Sequence, residues 1–115
     1  ETNCFIEARV VPKEKVEINF KDRFIKYFDY DKIEDGLHLR NRKTGDKFVP
    51  LGMNGMKKLK DLFIDKKIPL NKRDTIPILT DDENIIWVVG LRVSEDYKIT
   101  PSTKNVLVIK YYKKP

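Results

Sequence analysis

Residues 51–69 read LGMNGMKKLKDLFIDKKIP and combine a glycine-containing loop, an apolar stripe and a proline stop. At 100° per residue the apolar side chains of this stretch fall within about 120° of a helix circumference. These side chains are Met56, Leu59, Leu62 and Phe63. Pro69 cannot continue a helix, so it marks the end. The pattern predicts one main amphipathic helix over about 56–67, packed through this stripe.

Three lysines, Lys57, Lys58 and Lys60, fall in the first turn of this predicted helix. A helix N-terminus is the positive end of the macrodipole, so it disfavours cations by a few tenths of a kcal/mol. A bound phosphate at that end would reverse the preference, and a glycine-bounded loop leaves backbone N–H groups suited to an anion. The lysines therefore point to a phosphate-binding surface.

The positive charge of the chain is concentrated in one segment. The 115 residues carry a net charge of +6, with 40% hydrophobic and 37% charged residues, which favours one folded domain. Residues 40–73 hold eleven Lys or Arg against three Asp, a balance of +8, so the other residues sum to −2. A clustered patch attracts polyanions more strongly than scattered lysines do. Apolar runs of about 18 residues are absent, so we expect a cytoplasmic protein.

Alternating and β-branched segments predict most of the remaining structure. Strands are predicted over 4–11, 15–20, 37–42, 76–80, 85–93 and 105–112, with 21–33 either strand or helix. A turn at Asp81–Asn84 joins two of them into a hairpin, and Trp87 falls in the apolar run 85–93, which predicts a buried central strand. The predicted fold class is α+β, a mostly antiparallel β-sheet or sandwich with one main helix.

The strand predicted over 37–42 has two different faces. Leu37 and Leu39 alternate with His38, Arg40 and Arg42. Because successive side chains of a strand point to opposite faces, the leucines are expected in the core and the basic residues in solvent.

The residues that would support catalysis are sparse. Cys4 and His38 are the only cysteine and the only histidine, and no metal site or phosphate-loop motif is predicted. Carboxylates at Asp29 and Asp31, and at Asp81, Asp82 and Glu83, suit loop structure and solvated charge better than acid–base chemistry. A free-standing hydrolase is disfavoured, because the chain lacks a nucleophile and base set.

Several blocks of this chain resemble a known family. LRNRKTGDKFVPLGMNGMKKLKDLFIDKKIP, RDTIPIL, WVVGLRVSEDYKIT and LVIKY resemble the C-terminal substrate-binding domain of bacterial tRNA(Ile)-lysidine synthetase, from Phe28 to Tyr112 and most densely between Arg40 and Thr100. The resemblance implies a parent ligase that uses ATP and Mg²⁺ to join lysine to the wobble cytidine of tRNA(Ile) with anticodon CAU. Its Ser-Gly-Gly-x-Asp-Ser loop does not occur here, so no cofactor is expected in this chain.

The same resemblance implies a division of the chain. Residues 1–25 are expected to be first strands or the end of a preceding segment, and residues 26–115 a tRNA-binding domain. The chain begins with Glu1 rather than methionine, which suggests a fragment of a longer protein. The expected partners are the tRNA(Ile) acceptor stem and other domains of the parent enzyme, and a second copy in a homodimer stays open.

The resemblance and the charge pattern together give a set of candidate residues. The predicted RNA-binding residues are Arg40, Arg42, Lys57, Lys58, Lys60, Lys67, Arg73 and Arg92. The predicted loop-shaping residues are Gly45, Asp46, Gly52, Asn54 and Gly55. The alternative, a basic protein-interaction module that binds an acidic partner or another subunit, stays open.

Overall fold

The computed structural model describes residues 4–113 of the chain. The strands in this span are β1 (Cys4–Pro12), β2 (Ile25–Asp29), β3 (Leu37–Arg40), β4 (Lys47–Phe48), β5 (Lys57–Lys58), β6 (Ile78–Asp81), β7 (Asn84–Val88), β8 (Arg92–Val93) and β9 (Asn105–Lys113). One α-helix, α1 (Leu59–Asp65), lies in the described part of the chain. The strand pairs are antiparallel, and the prediction of an α+β fold with one main helix is confirmed. No helix of the described residues is long and apolar enough to cross a membrane.

The chain forms two compact units. One contains residues up to Ile33 and from Tyr97 onward, and the other contains Glu34–Asp96. These limits come from contacts within the folded chain, whereas the boundary predicted near residue 25 comes from a resemblance. That boundary stays a prediction.

The first unit is built on a three-stranded sheet in the order β1–β9–β2. Ala8 lies opposite Ile109, and Phe28 lies opposite Leu107. Residues 106–109 of the central strand are all buried, and their side chains alternate between the two faces of the sheet. The strand predicted over 15–20 does not form: residues 16–19 are irregular. The side chain of Asn19 instead accepts a hydrogen bond from the Lys21 N–H (3.0 Å), a local turn that competes with strand pairing.

The second unit is built on a four-stranded sheet in the order β3–β6–β7–β8, together with the β4–β5 pair and α1. An apolar cluster joins α1 with β4, β6 and β7. Its buried members are Phe48, Leu59, Leu62, Phe63, Ile78, Ile85 and Val88. Trp87 is fully buried, as the apolar run predicted. The run 85–93 is not one strand, however, because Gly90 (φ +81°) turns the chain between β7 and β8.

The helix is shorter than the sequence predicted. It was expected over about 56–67 but covers Leu59–Asp65, because Lys57 and Lys58 pair with Phe48 and Lys47 as β5. Its end is a Schellman motif: the Lys67 N–H donates to the Ile64 carbonyl (3.0 Å) and the Ile68 N–H to the Phe63 carbonyl (2.9 Å). Lys67 takes φ +57° to make this turn, so the helix cannot continue to Pro69.

Candidate nucleic-acid interface

A charged pair organises the turn that follows β3. The guanidinium of Arg40 donates two hydrogen bonds to the Asp46 carboxylate, Nη1 to Oδ2 at 3.0 Å and Nη2 to Oδ1 at 2.9 Å. The Lys43 N–H donates to the same Oδ2 at 2.7 Å. Gly45 completes the turn at φ +88°, a backbone conformation that disfavours side chains. The turn is therefore held by a bidentate ion pair and a glycine.

This pair changes the charge of the surface around it. Burial alone would raise the pKa of the Asp46 carboxyl, but the hydrogen bonds and charges of Arg40 and Lys43 outweigh burial and lower that pKa below its ordinary value of 3.8. Asp46 thus remains ionised at neutral pH with its charge neutralised by Arg40. The side chains of Asp46 and Arg40 are only 10% and 17% exposed.

The prediction for the faces of residues 37–42 is wrong at two positions. Arg40 was expected in solvent and Leu39 in the core, yet Arg40 is partly buried and Leu39 is 36% exposed. The Asp46 carboxylate draws the guanidinium inward, and this tertiary contact overrides the alternation along the strand. The guanidinium of Arg40 therefore stabilises the fold, and its predicted RNA contact stays a prediction.

The turn, residues 40–46, forms one wall of a groove. Residues 57–60 form the second wall beside it. The Leu59 N–H, the first amide of α1, donates to the Asp46 carbonyl (2.9 Å), so the turn and the helix start are joined directly. The sequence-based expectation of an anion held by free amides at the helix start is therefore wrong for this amide. Lys57 forms an ion pair with Asp65. Lys58 and Lys60 are exposed, and neither ammonium group has a hydrogen-bond or ion-pair partner among residues 4–113.

The two walls enclose a groove of about 420 Å³, which we call the basic groove. It is lined by Arg42, Lys43, Thr44, Gly45, Asp46, Lys58, Leu59, Lys60 and Asp74. Four lining side chains are cationic and two are carboxylates. Because Arg40 neutralises Asp46 without lining the groove itself, the groove has more positive charge than a count of its lining suggests.

Asp74 partly neutralises the charge of one of the four cationic side chains. Its Oδ1 accepts a hydrogen bond from the Arg42 Nε at 2.7 Å, and its carbonyl accepts one from the Asn41 Nδ2 at 2.6 Å. The carboxylate of Asp74 is 74% exposed, so water screens much of this ion pair. Because the pair is screened and Arg42 also lines the basic groove, Arg42 retains part of its positive charge for a ligand there.

The basic groove contains only part of the predicted RNA-binding set. Arg42, Lys58 and Lys60 line it. The other predicted residues do not: Arg40, Lys57, Lys67, Arg73 and Arg92. Arg73 donates through Nε to the Ile68 carbonyl (3.0 Å), and Arg92 donates through Nη2 to the Leu51 carbonyl (2.7 Å). These two arginines support loops. Their predicted RNA contacts, like those of Lys57 and Lys67, stay predictions.

The predicted loop-shaping residues have different local roles. Gly52 adopts φ +86°, and its N–H donates to the Glu95 Oε1 at 2.9 Å. Asn54 and Gly55 are exposed. The φ of Gly55 is not positive, and a Cβ added to this residue would meet no neighbouring atom of the described residues within 4 Å. A backbone requirement for glycine is therefore visible at 45 and 52 and not at 55.

Sequence reasoning missed three polar residues of the basic groove: Lys43, Thr44 and Asp74. The first two lie inside the basic segment, between Arg42 and Gly45, so a tight turn there would have suggested that they share a surface. Asp74 is 28 positions beyond Asp46, and no local pattern connects it with the turn.

Comparison with known proteins identifies the family of this chain. Residues 37–110 match the model of the TilS substrate C-terminal domain. The chain is 49% identical over 107 residues to a tRNA(Ile)-lysidine synthase of Caldanaerobacter subterraneus subsp. tengcongensis and 45% identical over 109 residues to one of Clostridium tetani. These alignments cover 93% and 95% of this chain, which spans only 23% of the length of each of these relatives.

A solved structure agrees with this result. The crystal structure of a TilS C-terminal domain is similar to this chain, with a TM-score of 0.82 and 29% identity over 98% of this chain and 86% of that one. The sequence-based resemblance is thus confirmed. The chain belongs to the TilS substrate C-terminal domain family.

Proposed function

We propose that this domain holds the acceptor stem of tRNA(Ile) for a tRNA(Ile)-lysidine ligase and takes no part in the chemical step. The family and the names of the relatives support a tRNA substrate. On this proposal, ATP and Mg²⁺ act in another domain of the parent enzyme, and this domain needs no cofactor. Its contribution is to position the RNA by electrostatic contacts.

The observation that carries this proposal is the pair of lysines at the basic groove whose ammonium groups have no partner among the described residues. Lys58 and Lys60 are exposed beside a carboxylate, Asp46, whose charge Arg40 already neutralises. Phosphate groups bind such cations and release condensed counterions as they do so. The groove suits a sugar–phosphate backbone, and folded A-form RNA is recognised largely through its shape, phosphates and 2′-hydroxyls.

The residues of the basic groove favour binding over catalysis. Its described lining contains lysine, arginine, threonine, glycine, leucine and aspartate, and no histidine or cysteine. Both of its carboxylates accept hydrogen bonds from arginines that line or support the groove. A carboxylate held in this way by a permanent cation is a poor general base at neutral pH.

The test measures binding of the 115-residue chain to an RNA hairpin with the acceptor-stem sequence of tRNA(Ile), by fluorescence anisotropy over a range of salt concentrations. If about four to six phosphates are engaged, log K should fall with a slope of roughly −3 to −5 against log[salt]. The Lys58→Glu/Lys60→Glu variant should bind at least about tenfold more weakly and show a shallower slope. A slope near zero for the unaltered chain would overturn the proposal.

A matched control separates local contacts from net charge. Lys15→Glu/Lys21→Glu makes the same change in net charge, but both lysines are exposed residues of the first unit. This control should lose much less affinity than Lys58→Glu/Lys60→Glu. Equal losses would show that the basic groove is not the contact surface.

The alternative function, binding of an acidic protein partner through the same basic surface, predicts a different preference. A protein that recognises only clustered negative charge should bind heparin as tightly as the RNA hairpin. The acceptor-stem proposal requires clear preference for the hairpin over heparin and over a DNA duplex of the same sequence, since B-form DNA lacks the 2′-hydroxyl groups.

A further inference from the structure

Phe20 is the most exposed large hydrophobic side chain of the described residues, at 84%. It lies between β1 and β2, in residues 17–24, which we call the Phe20 loop. Its ring makes no aromatic or cation–π contact with another described residue. Leaving a phenylalanine ring in water forgoes the stabilisation that burial would give it. A ligand that covers the ring would restore that stabilisation.

Hydrogen bonds on both sides of Phe20 hold the backbone of the loop. The Asn19 Oδ1 accepts from the Lys21 N–H at 3.0 Å, and the Asp22 Oδ1 accepts from the Phe24 N–H at 2.9 Å. Asn and Asp side chains that accept from the backbone two residues further on form compact turns. The Phe20 ring is therefore presented to solvent by a backbone of defined shape.

A second flat group lies three positions further along the loop. The guanidinium carbon of Arg23 lies 5.1 Å from the centroid of the Phe24 ring, and the Tyr111 ring of β9 lies 5.8 Å from the same ring. Aromatic rings and guanidinium planes both stack on nucleic-acid bases. The Phe20 loop thus carries two stacking groups, the Phe20 ring and the Arg23 guanidinium.

The charge of the first unit suits a polyanion. Over the described residues this unit has eleven Lys or Arg against six Asp or Glu, a balance of +5. The second unit has twelve against eleven, a balance of +1. Lys21 and Lys26 flank the stacking groups in sequence, and neither ammonium group has a hydrogen-bond or ion-pair partner in the described part of the chain. The first unit therefore attracts phosphates through its own charge.

Unpaired nucleotides fit this combination of groups better than a duplex or a protein does. Each base inside a duplex is covered on both faces by its neighbours, so the Phe20 ring finds no free face to stack on. A protein pocket that buried Phe20 would also have to desolvate the charges of Lys21 and Arg23 beside it. Proteins that bind single strands combine aromatic side chains under the bases with cations along the backbone.

We propose that the Phe20 loop is a stacking site for unpaired RNA nucleotides, whose bases pack on the Phe20 ring and the Arg23 guanidinium. Lys21 and Lys26 contact the neighbouring phosphates. Every base has a π face, so the site accepts any sequence. Only the choice of RNA rests on the proposed function, because a tRNA continues beyond its acceptor stem as an unpaired 3′ strand.

The first experiment measures the binding of a single-stranded RNA of about ten nucleotides to the 115-residue chain, by fluorescence anisotropy at low salt. Phe20→Ala removes a stacked base and should raise the Kd roughly tenfold. Phe20→Leu keeps an apolar side chain without a flat ring, so it should raise the Kd nearly as much. Tyr30→Ala is the matched control, since Tyr30 is an aromatic residue of the same unit that is 42% exposed. It should change the Kd less than about twofold.

Three results would overturn the stacking site. The unaltered chain and Phe20→Ala would bind the single strand equally, Phe20→Leu would bind as tightly as the unaltered chain, or the unaltered chain would not bind the single strand at all. The second result would indicate a general apolar contact, and the third would leave Phe20 as an anchor for a protein. A circular dichroism spectrum equal to that of the unaltered chain verifies that each variant is folded.

The second experiment uses Phe20→Trp as a probe of stacking. Trp87 is the only tryptophan of the chain and is fully buried, so the introduced indole is the one that RNA can reach. Stacking of a base on this indole should quench its emission as the single strand is added. A fully paired RNA of the same length supplies phosphates without free base faces and should leave the emission nearly unchanged. Equal quenching by both RNAs would contradict a site for unpaired nucleotides.

The same variants separate the Phe20 loop from the basic groove. Phe20→Ala should weaken binding of the single strand and leave binding of a blunt acceptor-stem duplex unchanged. Lys58→Glu/Lys60→Glu should weaken binding of the duplex much more than binding of the single strand. Equal effects of both variants on both RNAs would indicate one shared surface and overturn a separate stacking site. If the duplex alone fails to bind, the acceptor-stem proposal fails and the stacking site stands.

Discussion

The two walls of the basic groove use positive charge for different purposes. In the turn wall, residues 40–46, the guanidinium of Arg40 is bound to Asp46 and determines the shape of the chain. In the opposite wall, residues 57–60, Lys58 and Lys60 leave their charges in solvent. Cationic residues that are neighbours in one basic segment therefore fall into two groups: those that pair with a carboxylate and those that do not. The bound ones stabilise the groove, and the unbound ones are available to a ligand.

The largest expected effect comes from removing the carboxylate of the turn wall. Asp46→Ala should lower the free energy of unfolding by about 3 kcal/mol, because it leaves a partly buried guanidinium with only the Asn41 carbonyl as acceptor and leaves the Lys43 N–H without one. Urea denaturation measures this change. Asp61→Ala is the control, since Asp61 is exposed in the first turn of α1 and its loss should cost less than about 1 kcal/mol. Equal losses in the two variants would show that the ion pair does not hold the turn.

The same carboxylate predicts how stability depends on pH. Because the pKa of Asp46 is lower in the folded chain than its ordinary value of 3.8, ionised Asp46 stabilises the fold above that value. This contribution is lost as the pH falls through the folded-state pKa. The difference in unfolding free energy between the unaltered chain and Asp46→Asn should be constant above about pH 5 and shrink below about pH 4. A difference that stays constant down to about pH 2 would contradict this linkage.

A smaller effect is expected from the glycine of the turn wall. Gly45→Ala should destabilise the chain by about 1 kcal/mol, because φ +88° strains a residue with a side chain. No neighbouring atom of the described residues lies within 4 Å of the added Cβ, so the cost comes from backbone strain. Gly55→Ala is the matched substitution in the loop before the other wall, where φ is not positive. It should leave stability unchanged or raise it slightly, as thermal denaturation would show.

A similar distinction, between features that depend on neighbouring residues and features that depend on a distant partner, explains which elements the sequence predicted. Strands β1, β2 and β9 follow from their own apolar patterns, since neighbouring side chains are enough to predict an extended segment. The start of α1 could not be predicted from its own pattern, because Lys57 and Lys58 adopt strand geometry only when β4 is present as a partner. The turn at Gly90 had a local signal, a glycine within an apolar run, which the predicted single strand overlooked.

In the basic groove, too, features set by a single side chain could be predicted, and features that need a distant partner could not. The exposure of Lys58 and Lys60 could be predicted because a solvated lysine needs no partner. The inward position of Arg40 could not, because it depends on where the carboxylate of Asp46 lies after the turn has folded. Asp74 was missed for the same reason: its contact with Arg42 joins residues 32 positions apart. Local sequence patterns therefore find free charges more readily than paired ones.

The smallest expected effect tests the residue that lies between the two classes. Arg42 lines the basic groove and yet donates to Asp74, whose carboxylate is 74% exposed. Screened surface pairs contribute about 0–1 kcal/mol, so Asp74→Asn should change the free energy of unfolding by less than about 0.5 kcal/mol. It also removes a negative charge from the groove and releases Arg42, so affinity for the acceptor-stem hairpin should rise about two- to threefold. If Asp74→Asn instead weakens RNA binding, the Arg42–Asp74 pair must hold the groove in shape, as the Arg40–Asp46 pair does. Arg42 would then belong with the cations that stabilise the fold.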